Sequence, residues 1–376
     1  MSQNQQRNPS RVCLQCLIWM NCSMHPLHHL QSPCPQRPHF QTLMPCSTPM
    51  QNRLRKRPAR LIYRTLMDCF ESVRSSIEVG IMEQSMWSDA FDLHSHSTNS
   101  DGEHAVDRVA ELMAEAGVKH WALTDHDTIA GWDEAKRAAQ HVGIEFIPGV
   151  EITCEPGLPV CEHEMQLWQR DRAPSSWHLL AYFPSATTSQ LQREEFRQWL
   201  APLGESRGPR MEKMVALAHQ HGMNIDLDSV MARAEGSVGR PHLADELIAK
   251  GFAVDRQDAF DKWLGDGRPL AITRSKPSIE EATKAVHSCG GFVSLAHPIY
   301  YGVEAHKLAK HCSALGVDAI ECFHRSHPDS YRYAMMMAAR EHGMHLTAGS
   351  DFHGLSSMQT PGKTPLPLAD LPPSLG

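Results

Sequence analysis

Histidines and carboxylates recur in this chain at spacings that suit a metal centre. His94-Ser95-His96 sets two imidazoles two residues apart. On a strand, residues i and i+2 share a face, so both rings can point at one ion. Ser100-Asp101-Gly102 follows, then Thr124-Asp125-His126-Asp127, Gly149-Val150-Glu151, His178, Ala296-His297-Pro298 and Ser350-Asp351-Phe352-His353. A mixed imidazole and carboxylate set suits Mn²⁺, Fe²⁺ or Zn²⁺. Such ions acidify bound water, so no serine or cysteine nucleophile is needed.

Taken alone, most of these motifs have a plainer reading. With 24 histidines in the chain, an H-x-H pair arises easily by chance. Ser100-Asp101-Gly102 reads as a turn, and Asp127 or Thr128 as a helix N-cap. His178, among Trp177, Leu179 and Leu180, reads as a hydrogen-bonded core histidine. Glu151 fits a plain reading less well. It follows Phe146, Ile147 and Val150, where a carboxylate is costly to bury without a partner.

The elements that must position these groups alternate. Periodicity predicts strands at Phe91–His96, His120–Thr124, Glu145–Thr153, Trp177–Phe183, Phe292–Ala296, Asp318–Cys322 and His345–Ala348. It predicts helices at Val106–Ala116, Ile129–His141, 304–315 and 328–342. A helix-rich stretch at about 186–288 includes Pro209–His221, Pro241–Lys250, Gln257–Leu264 and Ser278–Ser288. The rhythm is that of an α/β fold with an inserted helical subdomain. Successive strands end in His, Asp or Glu. In a parallel β/α barrel the strand C-termini converge on one face, where active sites form. Nine such groups on one face imply a multinuclear metal centre.

The ordered set D-L-H-S-H-S (92–97), S-D-G (100–102), T-D-H-D (124–127), G-V-E (149–151), A-H-P (296–298) and S-D-F-H (350–353) resembles the PHP (polymerase and histidinol phosphatase) phosphoesterases. Within them it is similar to the nucleoside 3′,5′-bisphosphate phosphatases, some of which also act as 5′→3′ exoribonucleases on short RNA. The resemblance covers about residues 90–362. It implies a distorted seven-stranded β/α barrel holding two or three divalent metals, commonly manganese, with iron, zinc or magnesium as alternatives. By motif, the implied ligands are His94, His96, Asp101, His126, Glu151, His178, His297, Asp351 and His353. Residues 155–177 form a longer link than the family's usual one, and His163 within it rivals His178. His178 is preferred because H-L-L-A-Y-F reads as the family's histidine-led strand.

Candidates for protonating the leaving group are Asp127 and the metal-linked histidines His126 and His353. Arg207 and Arg210 open the helix R-G-P-R-M-E-K-M, and Arg240 and His242 lie in V-G-R-P-H-L. Both segments resemble the group's phosphate-binding positions, and guanidinium forks suit a second, non-reacting phosphate. Surface arginines at helix starts are the plainer alternative. Competing functions are a histidinol-phosphate-type phosphatase, a polymerase-associated exonuclease and a non-enzymatic metal-binding regulator.

Residues 1–66 hold nine of the chain's 36 basic residues and no acidic ones, leaving 27 basic against 43 acidic residues and a formal charge of −16 on the remainder. An acidic body is a poor partner for duplex DNA. A small nucleotide or short single-stranded RNA is the expected substrate, with no membrane and no obligate protein partner. Residues 1–87 lack periodicity. They read as a non-domain leader, either disordered or an over-extended start before Met82 or Met86, although the composition also fits a transit peptide. Cys13, Cys16, Cys22 and His25 do not have the spacing of a known zinc finger. The five cysteines after residue 70 show no paired spacing and read as reduced thiols in the cytoplasm. The domain is expected at 88–365, with a tail at 366–376.

Overall fold

The computed structural model describes residues 87–160, 173–184, 188–355 and 360–375. The expectations for residues 1–86 and for His163 lie outside these residues. In chain order the elements are β1 (Trp87–Ser88), β2 (Phe91–Asp92), α1 (Val106–Glu115), β3 (His120–Leu123), α2 (Trp132–Val142), β4 (Glu145–Cys154) and β5 (Trp177–Tyr182). Next come α3 (Gln190–Glu205), α4 (Arg207–Gln220), α5 (Leu227–Met231), α6 (Arg240–Ala249), α7 (Arg256–Ala259) and α8 (Ile279–Ser288). The chain closes with β6 (Phe292–Leu295), α9 (Ala305–Ala314), β7 (Ala319–His324), α10 (Asp329–Glu341), β8 (His345–Gly349) and β9 (Leu366–Pro367).

Seven strands form one sheet in the order β2-β3-β4-β5-β6-β7-β8. Its two edges meet: Leu93 N–H donates to Ala348 O at 3.0 Å, and Ser95 bridges Phe352 in parallel. The result is a nearly closed, distorted α/β barrel. β2 ends at Asp92, short of the expected His96, because the next residues change partners. Ser95 N–H donates to the Thr124 hydroxyl at 3.1 Å, not to a neighbouring strand ladder.

One strand departs from the parallel arrangement. β5 runs antiparallel to both β4 and β6. Only a reversed strand brings His178, near the start of β5, to the barrel end where the other strands finish.

Helix α1 shows why the local pattern folds as it does. Val106, Val109, Ala110 and Met113 are buried at i, i+3, i+4 and i+7, one continuous apolar face. Helix α2 stops at Gly143, whose φ of 77° favours a residue without a Cβ. Between β5 and β6 the sequence reading did not pick out α3. It also expected one helix over Gln257–Leu264, where the chain instead makes α7 followed by a π-turn at Phe260–Leu264. The helical stretch divides by its packing. Phe196 and Leu200 of α3 and Ile279, Ala282 and Val286 of α8 join the barrel core. Met211, Met214, Leu243, Leu247 and Leu264 form a separate core among α4 to the π-turn.

Candidate active site

The barrel brings the nine nominated side chains to one place. His94 and His96 follow β2, and Asp101 lies in the next turn. His126 follows β3 and bridges Glu151 on β4. His178 enters from the start of β5, His297 follows β6, and Asp351 and His353 follow β8. Asp127, His297 and Asp351 have φ of 52°, 25° and 51°, three of the four positive values among described non-glycine residues. Such backbone persists only where surroundings enforce it. Here Asp127 N–H donates to Glu151 O at 3.0 Å, and His297 N–H donates to Glu321 Oε2 at 2.7 Å.

Glu151 is the centre. Its Oε2 lies 3.1 Å from both His94 Nε2 and His96 Nε2, and 3.2 Å from His126 Nδ1. Its Oε1 lies 2.7 Å from His178 Nδ1 and 2.9 Å from His297 Nε2. Asp351 Oδ1 is 3.3 Å from His94 Nε2 and from His96 Nε2. Asp101 meets His353 Nε2 at 3.3 Å and His126 Nε2 at 3.8 Å. Three overlapping groups result: His94, His96, Glu151 and Asp351; His96, Asp101, His126 and His353; and His126, Glu151 and His178. In each group one atom per residue lies within 4.8 Å of all the others.

The donors fit divalent metal ions. His96 Nε2, His126 Nδ1 and Asp101 Oδ1 are buried with no hydrogen-bond partner, an arrangement that costs stability unless a cation takes their lone pairs. All donors are imidazole nitrogen or carboxylate oxygen. The electrostatics agree. Burial alone would raise the Glu151 pKa, yet the imidazoles of His126, His178 and His94 hold it well below the usual range. Burial alone would lower the His94 pKa, yet Glu321, Glu151 and Asp351 raise it well above an ordinary imidazole.

A supporting ring escaped the sequence reading. Glu321 Oε1 lies 3.0 Å from His94 Nδ1, and His324 Nε2 lies 3.4 Å from Asp351 Oδ2. Asp125 accepts from Ser97 N–H at 2.7 Å and from the Ser100 hydroxyl at 2.6 Å, shaping the loop that carries Asp101. Partners of this kind orient metal ligands. Glu321 had the same signal as Glu151, a carboxylate inside the apolar strand Ala-Ile-Glu-Cys-Phe.

Beside the cluster lies a cavity of about 350 Å³, reached by Asp101, His126 and His178 on one side and walled by the insertion on the other. Arg207, Arg210, Arg240, Arg274 and Lys276 line it, with Phe260, Pro241 and Ile272 as apolar surface. Arg274 and Lys276, in Thr273-Arg274-Ser275-Lys276, were not nominated from sequence. Arg240 pairs with Asp266 at 3.0 Å. The Arg210 guanidinium makes no hydrogen bond or ion pair among the described residues, and its Nε is buried without a partner. Burial, with the like charges of Arg207, Arg240 and Arg274, pushes its guanidinium pKa down to about 9.

Two nominated roles change. Asp127 is buried and bound by Arg207 and Arg274, with Thr153 N–H donating to Oδ1 at 2.8 Å. Burial would raise its pKa, but the two guanidiniums hold it far below the carboxylate range, so it has no proton to give a leaving group near neutral pH. His242 does not line the cavity. Its Nδ1 accepts the Gly239 N–H at 2.9 Å, tying down the first turn of α6. His126 and His353 stand among the ligand groups themselves.

Comparison with known proteins agrees with this geometry. The family model described as the PHP domain matches residues 92–198. A 5′-3′ exoribonuclease of Haemophilus influenzae is 31% identical over 267 residues, covering 70% of this chain and 89% of that protein. A 3′,5′-nucleoside bisphosphate phosphatase of Chromobacterium violaceum is 28% identical, covering 70% of this chain and 86% of that protein. A solved structure from Bifidobacterium adolescentis, assigned as a metal-dependent phosphoesterase, superposes with a TM-score of 0.60 at 30% identity, covering 73% of this chain and 91% of that one. The chain belongs to the PHP-domain family of metal-dependent phosphoesterases and is a hydrolase.

Proposed function

We propose that the protein hydrolyses a phosphate ester of a small nucleotide bearing a second phosphate, either a nucleoside 3′,5′-bisphosphate or the 5′ end of short single-stranded RNA. The observation that carries this reading is Arg210. It is a half-buried cation without an acidic partner, in a cavity that opens onto Asp101, His126 and His178. An anion is the ligand such a group needs. Arg207, Arg240, Arg274 and Lys276 add positive charge to the same wall, while Phe260 and Ile272 offer apolar surface to a base.

The scissile phosphate sits at the nine-residue cluster, where two or three divalent ions, manganese in this reading, would supply Lewis acidity and an acidified water. His94, His96, Glu151 and Asp351 would hold one ion; His96, Asp101, His126 and His353 a second; and His126, Glu151 and His178 a third, with His297 beside Glu151. The chain's own contribution is placement: the arginines fix one phosphate, and Glu151 fixes the donors around the other. We place the protein in the cytoplasm. The reading is supported by the buried free thiols of Cys154, Cys289, Cys312 and Cys322, and no described helix is long and apolar enough to cross a membrane.

Arg210→Ala tests the reading. Losing one charge-assisted contact costs on the order of 1.5–3 kcal/mol, or roughly ten- to a hundredfold in kcat/KM. That loss is expected on adenosine 3′,5′-bisphosphate and not on p-nitrophenyl phosphate, which has no second phosphate. Equal losses on both substrates would remove the anchoring role.

A further inference from the structure

We propose that Asp127 is a positioning residue that gathers Arg207 and Arg274 into one clamp for the non-reacting phosphate and sets its distance from the metal ligands. The proposal rests on the bisphosphate reading above. Asp127 is 2% exposed, in the turn after β3. Its Oδ2 accepts from Arg207 Nε at 3.0 Å, from Arg207 Nη2 at 2.6 Å, from Arg274 Nη2, and from the Thr153 hydroxyl at 2.9 Å. One carboxylate oxygen therefore joins side chains from the start of α4 and from the segment just before α8.

A carboxylate needed only to neutralise a buried arginine would pair one for one. Here one anion serves two guanidiniums, with Arg210 beside them, so the wall keeps a surplus of positive charge. Arg274 Nε, like Arg210 Nε, is buried without a hydrogen-bond partner. Its Nη1 is already committed to Leu203 O at 2.8 Å and Ser206 Oγ at 3.1 Å. Asp127 is also tied to the other half of the site. Its N–H donates to the carbonyl of Glu151, and His126 precedes it. The backbone conformation at φ 52° is what lets the side chain face the arginines while the peptide stays on β4. Asp127 thus sets how far the anchoring arginines lie from Glu151, which selects ligands by the separation of their two phosphates.

The test uses the metal-loaded enzyme with adenosine 3′,5′-bisphosphate and p-nitrophenyl phosphate. Asp127→Asn keeps the shape and removes the charge. It is expected to raise KM for the bisphosphate roughly tenfold or more, with the loss on p-nitrophenyl phosphate at least about tenfold smaller. Thr153→Val removes one anchor of the carboxylate and should raise the same KM severalfold, while Thr153→Ser, which keeps the hydroxyl, should restore it. Equal losses on both substrates in Asp127→Asn, or an unchanged KM, would overturn the proposal. If Asp127→Asn yields no soluble protein, the Thr153 pair decides: no difference between Val and Ser overturns it. Should Arg210→Ala discriminate between substrates while the Asp127 and Thr153 variants do not, the clamp fails and the bisphosphate reading stands. Should Arg210→Ala fail to discriminate, the bisphosphate reading itself falls.

Discussion

Replacing Glu321 by Gln should weaken metal binding although Glu321 stands outside the ligand groups. Both of its oxygens are in use. Oε1 lies 3.0 Å from His94 Nδ1, and Oε2 accepts the His297 N–H at 2.7 Å. A carboxylate can accept from both; glutamine has one acceptor oxygen and one NH₂. If the oxygen stays with His297, the NH₂ faces His94 Nδ1. The ring proton must then move to Nε2, the nitrogen that lies 3.1 Å from Glu151 and 3.3 Å from Asp351 among the ligand atoms. If the amide flips, the His297 N–H is left buried and unpaired. Either arrangement loses a charge-assisted bond or strands a donor, at roughly 1.5–3 kcal/mol. With a tenfold change per about 1.4 kcal/mol, metal affinity should fall roughly ten- to a hundredfold. Competition titration of Mn²⁺ or Zn²⁺ against a chelating dye reads this directly, with thermal unfolding as the check on folding. Affinity within twofold of the unaltered protein, in a folded variant, would refute the reasoning.

Two further outcomes are expected. Gly349→Ala should destabilise the barrel by roughly 1–3 kcal/mol in denaturant unfolding, because the added Cβ would lie 2.3 Å from His94 Cβ and 2.6 Å from Glu321 Oε1; an unchanged midpoint would mean that β8 can shift freely there. A shortened chain beginning at Met82 keeps Trp87–Ser88, which pairs with Leu366–Pro367, and should fold and retain turnover; insoluble protein from that chain would show that the leader is needed.

What the sequence made legible was what strand periodicity carries. Each candidate ligand motif follows or lies on an apolar strand, so the pattern alone puts Glu151, Asp351 and His353 on or just beyond barrel strands. Groups whose partners are distant in sequence were not legible. Asp127 looks like a cap or an acid until Arg207 and Arg274 arrive from 80 and 147 residues away. Arg274 sits in a short polar segment without periodicity, so nothing local marks it. His242 is expected at a phosphate because V-G-R-P-H-L resembles the family group's phosphate-binding segment, but helix geometry turns its ring back onto Gly239. Glu321 was readable by the rule applied to Glu151, that a carboxylate inside an apolar strand needs a partner.

The reversed β5 links the two halves of the site. A parallel fifth strand would have left the chain at the metal end. Because β5 runs the other way, the chain leaves its C-terminus at the opposite end of the barrel, and α3 must bring it back. Sixteen residues of helix rise about 24 Å, enough to run back past the six residues of β5, which span about 20 Å. The return ends at Ser206–Arg207, beside Asp127. From there the insertion reaches over the ligand loop: Ser237 N–H donates to Asn99 O at 2.6 Å, and the Thr98 hydroxyl donates to Glu235 at 2.6 Å. Gly236 is required at that crossing, since a Cβ would lie 2.4 Å from Asn99 O. One strand reversal therefore delivers a histidine of the candidate metal cluster from the start of β5 and, through α3, the arginines that face it. The candidate ligands read in order along the sequence because each lies on a strand or in the few residues that follow one. The cavity does not, because it is assembled by a chain that leaves the barrel and returns.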